Sequence, residues 1–139
     1  MARNKAGLEK VREECVGEGA EDVLVLPHDV GNEEECTLVI EETAAHFGGI
    51  DVLVNNAGVL IRSDFTSLTM EEVDHSMQVN LKSAIKLCQT CLPYLKKSQG
   101  SVVNVSSIAG LRASPGALSY KLSKAALDQM TRCVALEVC

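Results

Sequence analysis

The chain has 139 residues, 46% of them hydrophobic and 23% charged, which is the composition of one ordinary globular domain. A formal net charge of −6 argues against nucleic acid as a main partner, because binding phosphates requires clustered Lys and Arg. No apolar run is long enough to predict a membrane span, and none near Met1 resembles a secretory segment. Six scattered cysteines predict reduced thiols and a cytoplasmic protein.

Helical and extended patterns alternate along the first half of the chain. A charged amphipathic helix is predicted over residues 4–19, and a short aliphatic strand follows over Glu21–Pro27. Asn32 is predicted to cap a second helix, which three glutamates open and which Gly48 ends. Ile50–Val54 is then the second predicted strand, because it is short and continuously apolar.

The second half continues the same alternation. Thr69 followed three residues later by Glu72 predicts a capping box that opens a long helix. Pro93 is expected to kink or end that helix. Ser101–Val105 is the third predicted strand, and a last helix is predicted from about Ser119 to the final residue.

Strands that are continuous in apolar residues and separated by helices predict a parallel sheet covered on both faces. The chain contains no internal repeat, no low-complexity stretch and no linker. We therefore predict one α/β domain over residues 1–139.

One pair of residues carries a chemical signal. Tyr120 and Lys124 stand four apart in a predicted helix, so they project from the same face. A free phenol ionises near pH ~10, and a neighbouring ammonium favours the phenolate, so such a pair can act as an acid/base device. On a helix whose position in the fold is unknown, such a pair is more often exposed and without a chemical role. Here Ser106-Ser107 and Asn55-Asn56-Ala57-Gly58 both follow predicted strands, where parallel sheets bind ligands.

Four segments, GGIDVLVNNAG, VNLKS, VVNVSSIAG and SYKLSKAAL, closely resemble in order and spacing the motifs of the short-chain dehydrogenase/reductases. This resemblance implies a Rossmann-like, doubly wound parallel sheet that binds NAD(P). It also implies the catalytic roles: Tyr120 as acid/base, Lys124 assisting it and holding the nicotinamide ribose, Ser107 binding the substrate oxygen, and Asn80 steadying a water relay. The resemblance further implies a small carbonyl or alcohol compound as the substrate.

The resemblance also implies the residues of a cofactor site. Asp29 and Val30 match a pair that contacts adenine, and Asn56 and Gly58 match residues beside the adenosine ribose. Arg3 lies where the family chooses between cofactors, and a base there accommodates a 2′-phosphate, which favours NADP(H) over NAD(H). The alternatives are a tight turn at residues 55–58 and a solvated terminal charge at Arg3.

The sequence departs from the family pattern, because no Gly-x-x-x-Gly-x-Gly phosphate-binding turn occurs in it. Its first and last strands are also missing, so we expect an incomplete sheet with a gap at its centre. The leading hypothesis is an NADP(H)-dependent oxidoreductase that interconverts a ketone and a secondary alcohol, in a homo-oligomer formed through the long helices. The alternatives are a truncated, non-catalytic form that associates with full-length subunits, and a sugar-nucleotide epimerase or dehydratase.

Overall fold

The structure is a computed structural model that describes residues 1–138, and the predicted helical end at Cys139 lies outside them. Within this range the chain forms five α-helices and a short parallel sheet of two strands. The helices are α1 (Lys5–Gly17), α2 (Glu33–Phe47), α3 (Met70–Met77), α4 (Ser83–Ser98) and α5 (Leu118–Val138), and the strands are β1 (Val52–Asn55) and β2 (Ser101–Asn104). A π-helical turn (Gln78–Lys82) joins α3 to α4, and a 3-10 turn (Ile108–Gly110) precedes α5.

The predicted caps at Asn32, Gly48 and Thr69 are confirmed. The Asn32 side chain accepts hydrogen bonds from the backbone N–H groups of Glu34 and Glu35, so it satisfies donors that the helix leaves unpaired. Gly48 ends α2 in the left-handed region at φ 80°, where a side chain would be strained. Thr69 and Glu72 form the predicted capping box, with bonds of 3.2 and 3.0 Å in its two directions.

The expected effect of Pro93 is wrong in part, because α4 continues through it to Ser98. Proline removes one backbone donor and so weakens the helix locally. On either side of it Cys91 and Leu95 are buried against the rest of the core, at 0% and 5% exposure. This packing holds the helix together across the proline. The helix ends instead at Gln99, which adopts a left-handed conformation with φ 56°.

β1 and β2 are parallel and in register, from Val52 opposite Ser101 to Asn55 opposite Asn104. The parallel sheet is therefore confirmed, but the prediction that both faces are covered is wrong for the described residues. Val52 and Val54 share one face, and they are 53% and 55% exposed. Leu53 points to the other face and packs on the core. Only this second face lies under helices, which include α4.

The strand predicted over Glu21–Pro27 is not formed, because residues 22–29 belong to no helix or strand. A strand requires backbone hydrogen bonds to a neighbour, and among residues 1–138 none lies along this segment. Leu24 and Leu26 still pack on the core. A cleft of about 830 Å³, which we call the large cleft, separates the segment from β1. It lies where a gap in the sheet was expected.

The core lies between α2, α4 and the covered face of the sheet. Its buried members are aliphatic or cysteine side chains: Leu26, Cys36, Val39, Ile40, Ala44, Ile50, Leu87, Cys91 and Leu95. In contrast, α1 contributes no buried residue. None of the helices in residues 1–138 is long and apolar enough to cross a membrane.

The capping box at the start of α3 provides a test of this structure. Thr69→Ala removes the side-chain acceptor for the Glu72 N–H, and we expect it to lower the free energy of unfolding by about 1 kcal/mol. Urea titration followed by circular dichroism measures the change. The control is Thr66→Ala, since Thr66 is exposed and caps no helix within the described chain. Equal stability of the two variants would contradict the cap.

Candidate active site

The first turns of α5 carry Tyr120 and Lys124. Tyr120 is half-buried, whereas Lys124 is only 4% exposed. The Lys124 ammonium donates to the carbonyl oxygen of Val105 at 2.7 Å, and its Nζ lies 5.8 Å from the centre of the Tyr120 ring. An ammonium has three donors, and within residues 1–138 this carbonyl is its one hydrogen-bond partner. Lys124 therefore retains two N–H groups for a ligand.

Asn80 lies in the π-helical turn and is 2% exposed. Its amide oxygen accepts from the Val59 N–H at 2.7 Å, and its amide nitrogen donates to the Val59 carbonyl at 2.9 Å. The same nitrogen donates to the Ser123 hydroxyl at 2.9 Å and lies 3.3 Å from that of Ser76. The side chain thus joins the loop after β1 to α5.

Ser123 extends this network toward Tyr120. Its hydroxyl donates to the Tyr120 carbonyl at 2.8 Å, so the start of α5 is fixed to the Asn80 amide. Sequence reasoning missed Ser76 and Ser123. One signal was present, because Ser76 stands four residues before Asn80 and such pairs share a helix face. The partner on α5 had no comparable signal in the sequence.

Gly58 lies where three elements approach each other. A Cβ atom built on it would lie 3.2 Å from the Asn80 amide oxygen and 3.8 Å from the Lys124 Nζ. The first distance is tighter than almost all real Cβ contacts, so the missing side chain lets these groups come together. The alternative of a tight turn is not met, since no turn is assigned at residues 55–58, and the close approach instead leaves space beside Lys124.

Ser107 stands at the N-terminus of the 3-10 turn. Its hydroxyl oxygen accepts from the Ala109 N–H at 3.1 Å, which leaves its own proton free to be donated. The hydroxyl of the preceding Ser106 is buried and has no partner within residues 1–138. Ile108 and Ala109, which follow Ser107 directly, line a cleft of about 420 Å³ together with Tyr120. We call this the Tyr120 cleft.

The expected cofactor residues gather at the large cleft. Its lining includes all five that the resemblance assigned outside α5, together with Asn80: Arg3, Asp29, Val30, Asn56, Gly58 and Asn80. Lys124 lines neither cleft, but its ammonium lies against Gly58 of the large cleft and near Tyr120 of the smaller one. Lys124 therefore lies between the residues predicted for the cofactor site and Tyr120.

At the far end of this group Arg3 pairs with Asp29. The distance from the guanidinium to the carboxylate is 3.6 Å, and the two side chains are 73% and 40% exposed. Such an exposed pair contributes about 0–1 kcal/mol to stability. The Asp29 backbone is held more firmly, because its N–H donates to the Glu35 carboxylate at 2.7 Å. Two residues predicted from different parts of the sequence are thus neighbours.

A second polar chain connects the two strands to α5, and the sequence did not predict it. The Asn55 amide donates to the Asn104 amide oxygen at 2.8 Å, across a directly opposed strand pair. The Asn104 amide donates in turn to the Thr131 hydroxyl at 2.9 Å. These bonds fix the carboxyl ends of both strands relative to α5, beside Ser106 and Asn56.

The Cys88-x-x-Cys91 pair belongs to the core. Burial raises the pKa of the Cys91 thiol to about 11, and Cys88 contributes further. Burial also raises the pKa of Cys88, although a hydrogen bond from Asn55 opposes this. A reactive thiol needs a lowered pKa, so the pair is unsuited to redox exchange. No group of three metal-ligating side chains occurs within residues 1–138.

Comparison with known proteins agrees with this geometry. The family model described as short chain dehydrogenase matches residues 1–139. The chain is 36% identical to the 11-beta-hydroxysteroid dehydrogenase-like 2 protein of Arabidopsis thaliana over 141 aligned residues, which cover 99% of this chain and 45% of that protein.

Solved structures superpose closely on the fold. A short-chain dehydrogenase/reductase of unknown function from Caenorhabditis elegans, solved with cofactor, has a TM-score of 0.92 and 36% identity, over 98% of this chain and 53% of that one. The alcohol dehydrogenase of Thermococcus sibiricus, complexed with 5-hydroxy-NADP, has a TM-score of 0.93 and 27% identity, over 99% and 58%. The chain spans about half the length of these relatives. It belongs to the short-chain dehydrogenase family, whose members include oxidoreductases with a Rossmann-like α/β fold.

Proposed function

We propose that the chain carries the proton-transfer site of an NADP(H)-dependent oxidoreductase that interconverts a ketone and a secondary alcohol. The observation that carries this proposal is the position of the Lys124 ammonium. It is buried between Gly58 and Tyr120, with two donors free among the described residues. A buried cation with unused donors is costly unless a ligand completes its hydrogen bonds.

Each residue of the site has a proposed task. The Tyr120 hydroxyl gives its proton to the carbonyl oxygen during reduction and takes it back during oxidation. Ser107 donates its free hydroxyl proton to the same oxygen, where negative charge develops. Lys124 holds the cofactor ribose and places its positive charge behind Tyr120. Asn80 steadies a water relay behind Lys124, and its side chain fixes the loop that includes Gly58.

Two features support a nicotinamide cofactor in the large cleft. Lys124 and Gly58 offer donors and space at one end, and Arg3 and Asp29 offer opposite charges at the other. When bound, the cofactor supplies or accepts the hydride. Asp29 and Val30 would contact the adenine, Asn56 and Gly58 the adenosine ribose, and Arg3 a 2′-phosphate. The sequence contains no glycine-rich turn for the pyrophosphate.

The catalytic assignment can be tested in a chimera, in which this chain replaces the matching segment of the Thermococcus sibiricus alcohol dehydrogenase. Tyr120→Phe removes the proton-transferring hydroxyl, and we expect kcat to fall by about 10²–10⁴-fold. Steady-state oxidation of secondary alcohols measures it. The control is Tyr94→Phe, which changes the other tyrosine, packed on the core. Equal losses in both variants would refute the role of Tyr120.

Cofactor choice gives a second test in the same chimera. Arg3→Asp places a carboxylate near the 2′-phosphate, and we expect the preference for NADP(H) over NAD(H) to fall by about 1.5–3 kcal/mol. The ratio of kcat/KM for the two cofactors measures the preference. Arg12→Asp is the matched control, because Arg12 pairs with Glu9 on α1. An unchanged ratio in Arg3→Asp would make Arg3 only a terminal charge.

The alternative is a non-catalytic form that associates with full-length subunits, and the exposed Val52 and Val54 face and the unpaired edge of β1 favour it. We expect the 139-residue chain by itself to bind NADPH weakly and to turn over no ketone. Without a phosphate cradle the nicotinamide is poorly oriented, which costs several powers of ten in rate. Fluorescence titration with NADPH measures the binding. Saturable micromolar binding by a monomeric chain would contradict this expectation.

A further inference from the structure

The Tyr120 cleft has an apolar wall that is open to solvent. Leu60 and Ile108 are 50% and 63% exposed, and Pro115 lines the cleft beside them. Large apolar side chains gathered at a concave surface are typical of sites that bind an apolar ligand. The volume of about 420 Å³ suits a small molecule rather than a protein segment.

The charged residues of this cleft all have the same sign. Arg62, Arg112 and Lys121 line it, and no Asp or Glu does so. None of the three forms an ion pair within residues 1–138, although acidic residues outnumber basic ones by 19 to 13 in the chain. Three unpaired cations beside one cleft repel each other, and an anion placed among them would relieve that repulsion.

Neighbouring carboxylates do not neutralise these cations. Asp64 is two residues from Arg62, but it lies in an exposed turn and does not line the cleft. Asp128 points toward the backbone of Gly110, where a Cβ would approach its carboxylate closely. The positive charge at the cleft is therefore left for a ligand.

We infer that the Tyr120 cleft binds an anionic substrate, namely a keto or hydroxy compound with an apolar body and a carboxylate head group. The inference rests on the proposed function, because it takes Tyr120 as the residue that meets the reacting oxygen. Leu60, Ile108 and Pro115 contact the apolar body, and the cations hold the carboxylate away from Tyr120. Arg62 and Arg112, which can each bind a carboxylate through two parallel N–H groups, are the anchors.

The binding test needs neither cofactor nor turnover, so it is separate from the test of the proposed function. A medium-chain keto acid, its methyl ester and the corresponding keto phosphate are titrated into the full chain at low ionic strength. Amide resonances of residues 108–117 in ¹H–¹⁵N spectra report binding. We expect the keto acid to bind about tenfold more tightly than its neutral ester, and this preference to shrink as salt screens the charges.

Matched variants assign the effect to the cleft. Arg112→Gln and Arg62→Gln should each weaken binding of the keto acid about fivefold and leave the ester unchanged. Lys97→Gln removes the same charge from the exposed end of α4, away from the cleft, and should change neither. Circular dichroism confirms that each variant is folded, and the salt dependence of the wild type tests the inference even if one variant is not.

Three outcomes would overturn the inference. Binding of the ester as tight as that of the acid would show that charge is not recognised, and an effect of Lys97→Gln equal to that of Arg112→Gln would assign the preference to net charge alone. Tighter binding of the keto phosphate than of the keto acid would show that the cleft prefers a phosphate head group to a carboxylate. By contrast, an active Tyr120→Phe chimera alongside selective binding of the acid would refute the proposed function but not the anion site.

Discussion

The buried amide of Asn80 is the interaction on which the rest of the site depends. Its oxygen and nitrogen are both bonded to the Val59 backbone, and its nitrogen also reaches Ser123 on α5. A buried amide left without partners costs about 1–3 kcal/mol, so the loop after β1 and the start of α5 cannot move apart independently. The π-helical turn places this side chain, since a regular helix through residues 78–82 would rotate it differently.

The loop that Asn80 holds lies against the buried positive charge of Lys124. The loop held by Asn80 includes Gly58, which has no side chain to displace the Lys124 ammonium. The ammonium in turn binds the carbonyl at the end of β2, through Val105. The loop after β1, the end of β2 and the first turns of α5 therefore meet around one buried cation. A preorganised positive charge stabilises negative charge that develops close to it.

The sequence predicted the features that depend on local chemistry and missed those that depend on packing. The capping box at Thr69 follows from residues three apart, and the structure contains it. The continuation of α4 through Pro93 and the π-helical turn depend on burial that no local pattern reports. Residues 23–27 have the aliphatic pattern of a strand but do not form one. A strand must pair with a neighbouring strand, and none lies beside this segment within residues 1–138. Motif spacing predicted Ser107, Tyr120 and Lys124 as site residues, whereas it gave no sign of Ser76 and Ser123, which connect Asn80 to the Tyr120 backbone.

The two clefts differ in the charge of the side chains that line them, and the net charge of the chain does not show this difference. In the large cleft Arg3 lies against Asp29, so a cation and an anion largely cancel each other there. In the Tyr120 cleft Arg62, Arg112 and Lys121 have no such partner among the described residues, and Lys124 adds a further positive charge behind the tyrosine. The cleft is open to solvent, so salt screens these charges. If Tyr120 transfers the proton as proposed, the same field would attract a negative group and stabilise negative charge on the reacting oxygen, so recognition and proton transfer would share one physical origin.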